Sequence, residues 1–122
     1  LGVGLPGITR LATIVGRACA KEMFFTARRY NSDEVLRMGL VNHVVEDEKV
    51  AATAEEMASL IIGNAPMTVD AVKFIANQTL MDESQRDLKA CSDMVQACVD
   101  SADYIEGRRA FMEKRKPIWQ GK

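Results

Sequence analysis

The chain has 122 residues, the size of one modest domain, and its 48% hydrophobic and 27% charged residues are ordinary for a globular protein. Its 16 basic and 17 acidic residues give a formal net charge of −1, which argues against a nucleic-acid or membrane-surface partner. We find no apolar run near the roughly 18–20 residues that span a bilayer, and no targeting segment. The start at Leu1 suggests a fragment or a trimmed chain.

The first third of the sequence predicts short helices joined by glycine-containing turns. Residues 1–7 are dense in glycine and contain a proline, so we expect a loop there, followed by helices over 9–15 and 18–26 separated by Gly16. Ser32 is predicted to cap a further short helix, and Gly39 is predicted to end it in left-handed geometry. Residues 40–45 are rich in β-branched side chains and predict the one strand.

The remainder is predicted to be helical throughout. Apolar residues recur at the helical period over 50–61, over 66–80 after Pro66, and over 88–102. Asp103 and Glu106 resemble a capping box that opens a last helix, which Lys116-Pro117 would end. A single strand cannot make a sheet, and three amphipathic helices leave apolar faces uncovered. The sequence therefore predicts an incomplete domain.

Three stretches of the sequence form an ordered set of motifs. They are GLPGITRL at 4–11 with VG at 15–16 and AKE at 20–22, then TAR at 26–28 with Glu34 and GLVNHVV at 39–45, and finally DYIEGRRAFMEKRKP at 103–117. Together they resemble the C-terminal part of the enoyl-CoA hydratase/isomerase (crotonase) superfamily. The resemblance covers nearly the whole chain. It implies a mainly α segment within an α/β crotonase (ClpP/crotonase-like) fold. Residues 1–65 would be the end of the crotonase core, and residues 66–122 a C-terminal helical trimerisation region.

The resemblance implies an enzyme that acts on acyl-CoA thioesters. Such enzymes stabilise an enolate in an oxyanion hole of two backbone N–H groups, and hydratases use two glutamates as acid and base. These groups lie in the N-terminal half of family members, so we expect this chain to be inactive alone. The resemblance further implies no prosthetic group, a homotrimer or dimer of trimers, and a cytoplasmic or mitochondrial-matrix location.

The resemblance points to three site residues. Gly4 falls where hydratases have a glycine whose backbone N–H helps to hold the water; the alternative is a glycine that serves only the turn. Phe111 and Lys114 fall where the last helix of the family reaches coenzyme A, through the adenine and a phosphate respectively. The alternative is Phe111 as a core anchor, with Lys114 in solvent.

Other residues of types that can take part in catalysis or metal binding are predicted to have structural roles. His43 is the only histidine and has no second ligand at metal spacing, so we predict no metal site. The three cysteines, Cys19, Cys91 and Cys98, form no CxxC pair and are expected to be small buried thiols. An alternative function also stays open: the helical stripes could belong to a stand-alone oligomerisation or interaction module without catalysis.

Overall fold

A computed structural model describes residues 3–122 of the chain. They form two compact units, one that ends at Val50 and one that spans Ala51–Lys122. The division at residue 65, drawn from the family resemblance, stays a prediction. None of the helices among residues 3–122 combines the length and hydropathy of a bilayer-spanning segment.

The first unit begins with a long helix that is broken in the middle. Helix α1 (Leu5–Thr26) contains Gly16 at φ 78° and ψ 158°, a conformation that interrupts the helix where two separate helices were predicted. The predicted loop over 1–7 is wrong from Leu5 onward, and residues 1–2 lie outside the described part. Pro6 is tolerated because it occupies the first turn, where its missing N–H leaves no intrahelical bond unmade.

Helix α2 (Ser32–Arg37) is capped one residue earlier than predicted. The Asn31 side chain accepts a hydrogen bond from the Glu34 backbone N–H at 3.0 Å, and the Glu34 carboxylate accepts from the Asn31 N–H at 2.9 Å. This reciprocal pair satisfies the backbone N–H groups of Asn31 and Glu34. Asn31 is therefore the N-cap of α2, and the prediction of Ser32 as the cap is wrong. Gly39 follows at φ 74°, which confirms its predicted left-handed conformation.

The predicted strand over 40–45 is wrong. These residues form no ladder and include bends at Leu40 and Asn42, and no strand occurs anywhere in residues 3–122. The β-branched composition is favourable for a strand, yet pairing needs a second extended segment, and the described part offers none. Val41, Val44 and Val45 consequently remain exposed, and a short 3-10 turn over Asp47–Lys49 follows.

The second unit contains the helices predicted from the apolar stripes. Helices α3 (Val50–Ile62, beginning one residue before the unit), α4 (Pro66–Gln78) and α5 (Leu88–Asp100) confirm the three predicted helices, although α4 and α5 each end two residues before their stripes do. Helix α6 (Ala102–Met112) follows and includes Ala102, the last residue of the third stripe. A 3-10 turn over Glu83–Gln85 precedes α5, which packs against both α4 and α6. Helix α6 ends at Met112 rather than at Lys116-Pro117, and its cap is Ser101 rather than Asp103.

Few side chains of the described residues are buried. The buried apolar residues are Val15 and Ala20 in the first unit and Ala71 and Ala110 in the second. Large apolar side chains remain exposed on every long helix. The three cysteines are free and only half-buried, less than was expected of small core thiols. Three of the four buried apolar residues are alanines, whereas most of the larger apolar side chains stay exposed within the described part.

The capping box at α2 gives the first prediction. Asn31→Ala removes the acceptor for the Glu34 N–H, and we expect the free energy of unfolding to fall by about 1 kcal/mol. Asn77→Ala is the matched control, because Asn77 lies inside α4, where alanine is the better helix former. Urea unfolding followed by circular dichroism measures both changes. Equal losses in the two variants would contradict the capping assignment.

Candidate functional site

The last turn of α6 presents an exposed aromatic side chain. Phe111 is 82% exposed, and Met112 beside it is also exposed. Phe111 is therefore not buried within residues 3–122, and both its predicted contact to coenzyme A and the alternative of a core anchor stay predictions. An aromatic ring of this exposure is free to stack on a planar group.

Lys114 lies beyond the end of α6 and has a left-handed backbone with φ 52°. Its N–H donates to the Phe111 carbonyl at 3.2 Å, and the Arg115 N–H donates to the Ala110 carbonyl at 3.0 Å. These two bonds make a Schellman motif, in which glycine is the favoured residue at the left-handed position. The argument that Phe111 and Lys114 share one helix side is therefore wrong, because Lys114 has left the helix.

Residues 115–122 run back along α6, and we call them the C-terminal strap. Arg115 begins the strap with two contacts to the Glu106 carboxylate, at 2.5 and 3.0 Å, and one to Glu113 at 2.6 Å. The Ile118 N–H donates to the same Glu106 carboxylate at 3.0 Å. Glu106 thus binds two parts of the strap, the side chain of Arg115 and the backbone N–H of Ile118.

Asp103 anchors the far end of the strap. Its side chain is the one large fully buried side chain of the described residues, with 1% exposure. One carboxylate oxygen accepts from the Gln120 N–H at 2.7 Å and the other from the Gly121 N–H at 2.8 Å. The Asp103 N–H in turn donates to the Lys122 carbonyl at 3.2 Å. A buried carboxylate requires such donors, and backbone N–H groups supply them.

Trp119 fixes the middle of the strap. Its indole N–H donates to the Gly63 carbonyl at 2.7 Å, just past the end of α3. Its ring lies against Gly107, where an added Cβ would come within 3.1 Å of the ring. Neither Asp103 nor Trp119 was singled out from the sequence as an anchor. The i, i+3 spacing of Asp103 and Glu106 was visible, but it was interpreted as a cap.

The charges at the strap reinforce one another. The Arg115 guanidinium, followed by the Ile118 N–H, lowers the pKa of Glu106 from 4.5 to about 2. The Glu106 and Glu113 carboxylates in turn raise the pKa of Arg115. Both groups are therefore charged at neutral pH. The Lys114 side chain is exposed.

An open, mainly apolar groove borders the Phe111 side chain. It has a volume of about 560 Å³ and is formed by α4, α5, α6 and the strap. Val72, Ile75, Val95, Val99 and Trp119 supply much of its wall, and Arg108 lies at its rim with Phe111. A groove of this size and polarity has the dimensions of small-molecule and protein contact sites.

Gly4 belongs to the first unit, whereas Phe111 and Lys114 belong to the second. It precedes α1 as the N-cap residue, with φ −76° and ψ 166°. Its carbonyl accepts from the Gly7 and Ile8 N–H groups at 3.1 and 3.3 Å. An added Cβ would meet only the Pro6 ring at an ordinary 3.7 Å, so the backbone here does not itself require glycine. The proposed role for its N–H stays a prediction.

A second charged cluster lies around Arg28, in the motif formed by TAR at 26–28 and Glu34. Arg28 donates to Glu34 at 2.7 Å and to Glu22 at 3.1 Å, and its guanidinium lies 3.8 Å from the centre of the Tyr30 ring. These contacts join the end of α1 to the start of α2. Arg28 therefore has a structural explanation within the first unit.

His43 is exposed, and the residues that the structure describes contain no group of three or more histidine, cysteine or acidic side chains placed to hold a metal ion.

Comparison with known proteins identifies one family. A family model described as Enoyl-CoA hydratase/isomerase matches residues 3–122. The Short-chain-enoyl-CoA hydratase of Clostridium acetobutylicum is 38% identical over 113 residues, which are 93% of this chain and 43% of that protein. The Carnitinyl-CoA dehydratase of Citrobacter koseri is 34% identical over 120 residues, 95% of this chain and 46% of that protein. The chain spans a little under half the length of these relatives.

Solved structures give the same result. An enoyl-CoA hydratase/carnithine racemase from Magnetospirillum magneticum matches with a TM-score of 0.84 at 30% identity, over all of this chain and 45% of that one. The enoyl-CoA hydratase from Bacillus anthracis matches with a TM-score of 0.83 at 31% identity, over 98% of this chain and 48% of that one.

The left-handed conformation of Lys114 gives the second prediction. Lys114→Gly relieves the steric cost of a Cβ at positive φ, whereas Lys114→Ala keeps it, so the glycine variant should be about 1 kcal/mol more stable than the alanine variant. Comparing these two variants cancels the loss of the ammonium. Urea unfolding measures the difference. An alanine variant as stable as the glycine variant would contradict the left-handed assignment.

The third prediction concerns acid stability. Because the folded pKa of Glu106 is lowered from 4.5 to about 2, its contribution to stability is full above pH 4.5 and is lost as the pH falls toward 2. Glu106→Gln should flatten the decline in the free energy of unfolding over that window. Asp93→Asn removes an exposed carboxylate that pairs with Lys89 and is the control, and we expect it to change the decline less than Glu106→Gln does. Unfolding curves collected between pH 6 and pH 2.5 measure both.

Proposed function

This chain belongs to the enoyl-CoA hydratase/isomerase family, and we propose that it is the C-terminal part of such an enzyme, acting on acyl-CoA thioesters. The observation that carries the proposal is the likeness to solved enoyl-CoA hydratases along nearly the whole chain, which spans a little under half of each of them. The reaction would pass through an enolate stabilised in an oxyanion hole, without a prosthetic group.

We propose that the end of α6 supplies a contact to coenzyme A. Phe111 offers an exposed ring for the adenine, and the Lys114 ammonium beyond it offers a cation for a phosphate. Arg115, by contrast, already binds Glu106 and Glu113. Lys114 is therefore the better cation for an incoming phosphate, because its ammonium is in no ion pair among the described residues.

Catalysis is proposed to need residues outside these 122. The family resemblance places the oxyanion donors and both catalytic glutamates in the N-terminal half of such enzymes. Gly4 would add at most one backbone N–H beside the water. We therefore propose that the chain binds coenzyme A weakly and does not hydrate an enoyl thioester by itself.

The exposed apolar surface favours an assembly. The groove beside Phe111 and the exposed side chains of α3 to α6 exceed what single scattered apolar residues would present. A homotrimer, or a dimer of trimers, in the complete enzyme would cover such a surface. The same surface keeps a second candidate function open, an oligomerisation module without catalysis.

The fourth prediction tests the coenzyme A contact by titration calorimetry. Lys114→Met should weaken coenzyme A binding about tenfold, because one charged hydrogen bond to a phosphate is lost. Phe111→Ala should also weaken it. The controls are Lys89→Met, an exposed lysine on α5, and Phe25→Ala, whose ring is 81% exposed in the first unit.

The outcomes separate the candidate functions. Binding that depends on Phe111 and Lys114, without loss of the enoyl thioester absorbance, supports the proposal. Turnover by the chain alone would contradict the proposed inactivity. A discrete oligomer in sedimentation that binds no coenzyme A would favour the module.

A further inference from the structure

Lys114 occupies a backbone conformation that its own side chain disfavours. A non-glycine residue in the left-handed region persists only where the surrounding structure determines it. The Schellman bonds to Phe111 and Ala110 fix the helix side of this turn. On the C-terminal side of the turn, the strap begins one residue later, at Arg115.

Two acceptors on α6 hold the C-terminal strap, and thereby the C-terminal side of the turn at Lys114. Glu106 accepts from Arg115 and from the Ile118 N–H, and Asp103 accepts from the Gln120 and Gly121 N–H groups. Three of these donors are backbone groups, so side-chain substitutions in the strap would leave them in place. The two carboxylates are the positions on α6 at which a substitution removes an acceptor of the strap.

We propose that Asp103 and Glu106 are positioning residues: by holding the strap against α6 they keep Lys114 in its left-handed conformation and orient its ammonium. The consequence for coenzyme A rests on the proposed function, whereas the coupling of the two carboxylates to Lys114 does not. Released from the strap, Lys114 would return to the conformations that lysine prefers, and its side chain would sample many directions.

Trp119 makes the state of the strap measurable. It is the only tryptophan of the chain and lies in the strap, half-buried against Gly107 and bonded to the Gly63 carbonyl. Its emission should shift to the red when the strap detaches. Chemical shifts of Lys114 and its heteronuclear ¹H–¹⁵N NOE report the conformation of the turn independently of Trp119.

The experiment compares Asp103→Asn and Glu106→Gln with two controls in the ¹⁵N,¹³C-labelled 122-residue chain. Ser101→Ala removes the N-cap of the same helix and touches neither acceptor, so it lowers stability without releasing the strap. Asp93→Asn removes an exposed carboxylate from α5. Should Asp103→Asn fail to fold, Glu106→Gln decides, because Glu106 is only half-buried.

In the two strap variants we expect a red-shifted Trp119 emission, a reduced NOE at Lys114 and loss of its left-handed shifts. Coenzyme A affinity should fall about fivefold, the cost of ordering one long side chain on binding. Both controls should keep the wild-type values.

The proposal is overturned if Lys114 keeps its left-handed shifts while Trp119 reports a released strap. It is also overturned if Ser101→Ala alters Lys114 as much as Glu106→Gln does, since the role would then be merely structural. If the wild-type chain binds no coenzyme A, the proposed function fails, and the Lys114 shifts alone decide this inference.

Discussion

The buried carboxylate of Asp103 is the constraint on which the second unit depends most. A carboxylate with 1% exposure is tolerated only where strong donors surround it, and both of its oxygens are bonded to backbone N–H groups of the strap. Because those donors lie 17 and 18 residues further along the chain, the chain must reverse direction after α6. The Schellman turn and the Glu106–Arg115 pair follow from that reversal.

The structure also shows how much apolar surface these helices leave uncovered. The buried apolar residues of the second unit are two alanines, Ala71 and Ala110, whereas Leu60, Ile62 and Phe111 on its helices are exposed. Alanine at a helix contact permits close approach but removes little apolar area from water. The hydrogen bonds between the strap and α6 therefore contribute a larger fraction of the stability of this unit than they would in a domain with a full apolar core.

The sequence predicted what depends on local periodicity and missed what depends on distant partners. The stripes over 50–61, 66–80 and 88–102 located α3, α4 and α5 because a helix satisfies its backbone internally. The strand over 40–45 failed because a strand needs a partner that the local sequence cannot supply. Asp103 was taken for a cap because a capping carboxylate and a strap anchor share the same local pattern.

The family motif at the end of the sequence acquires a physical explanation from these contacts. Asp103 and Glu106 lie one helical turn apart and accept successive donors of the strap, while Gly107 leaves the space that the Trp119 ring occupies. The ion pair between Arg115 and Glu106 joins the end of the turn to α6. Within this arrangement Lys114 is the residue whose identity the backbone does not favour. A lysine that is costly for the fold and in no ion pair among the described residues is not explained by the contacts that order the strap.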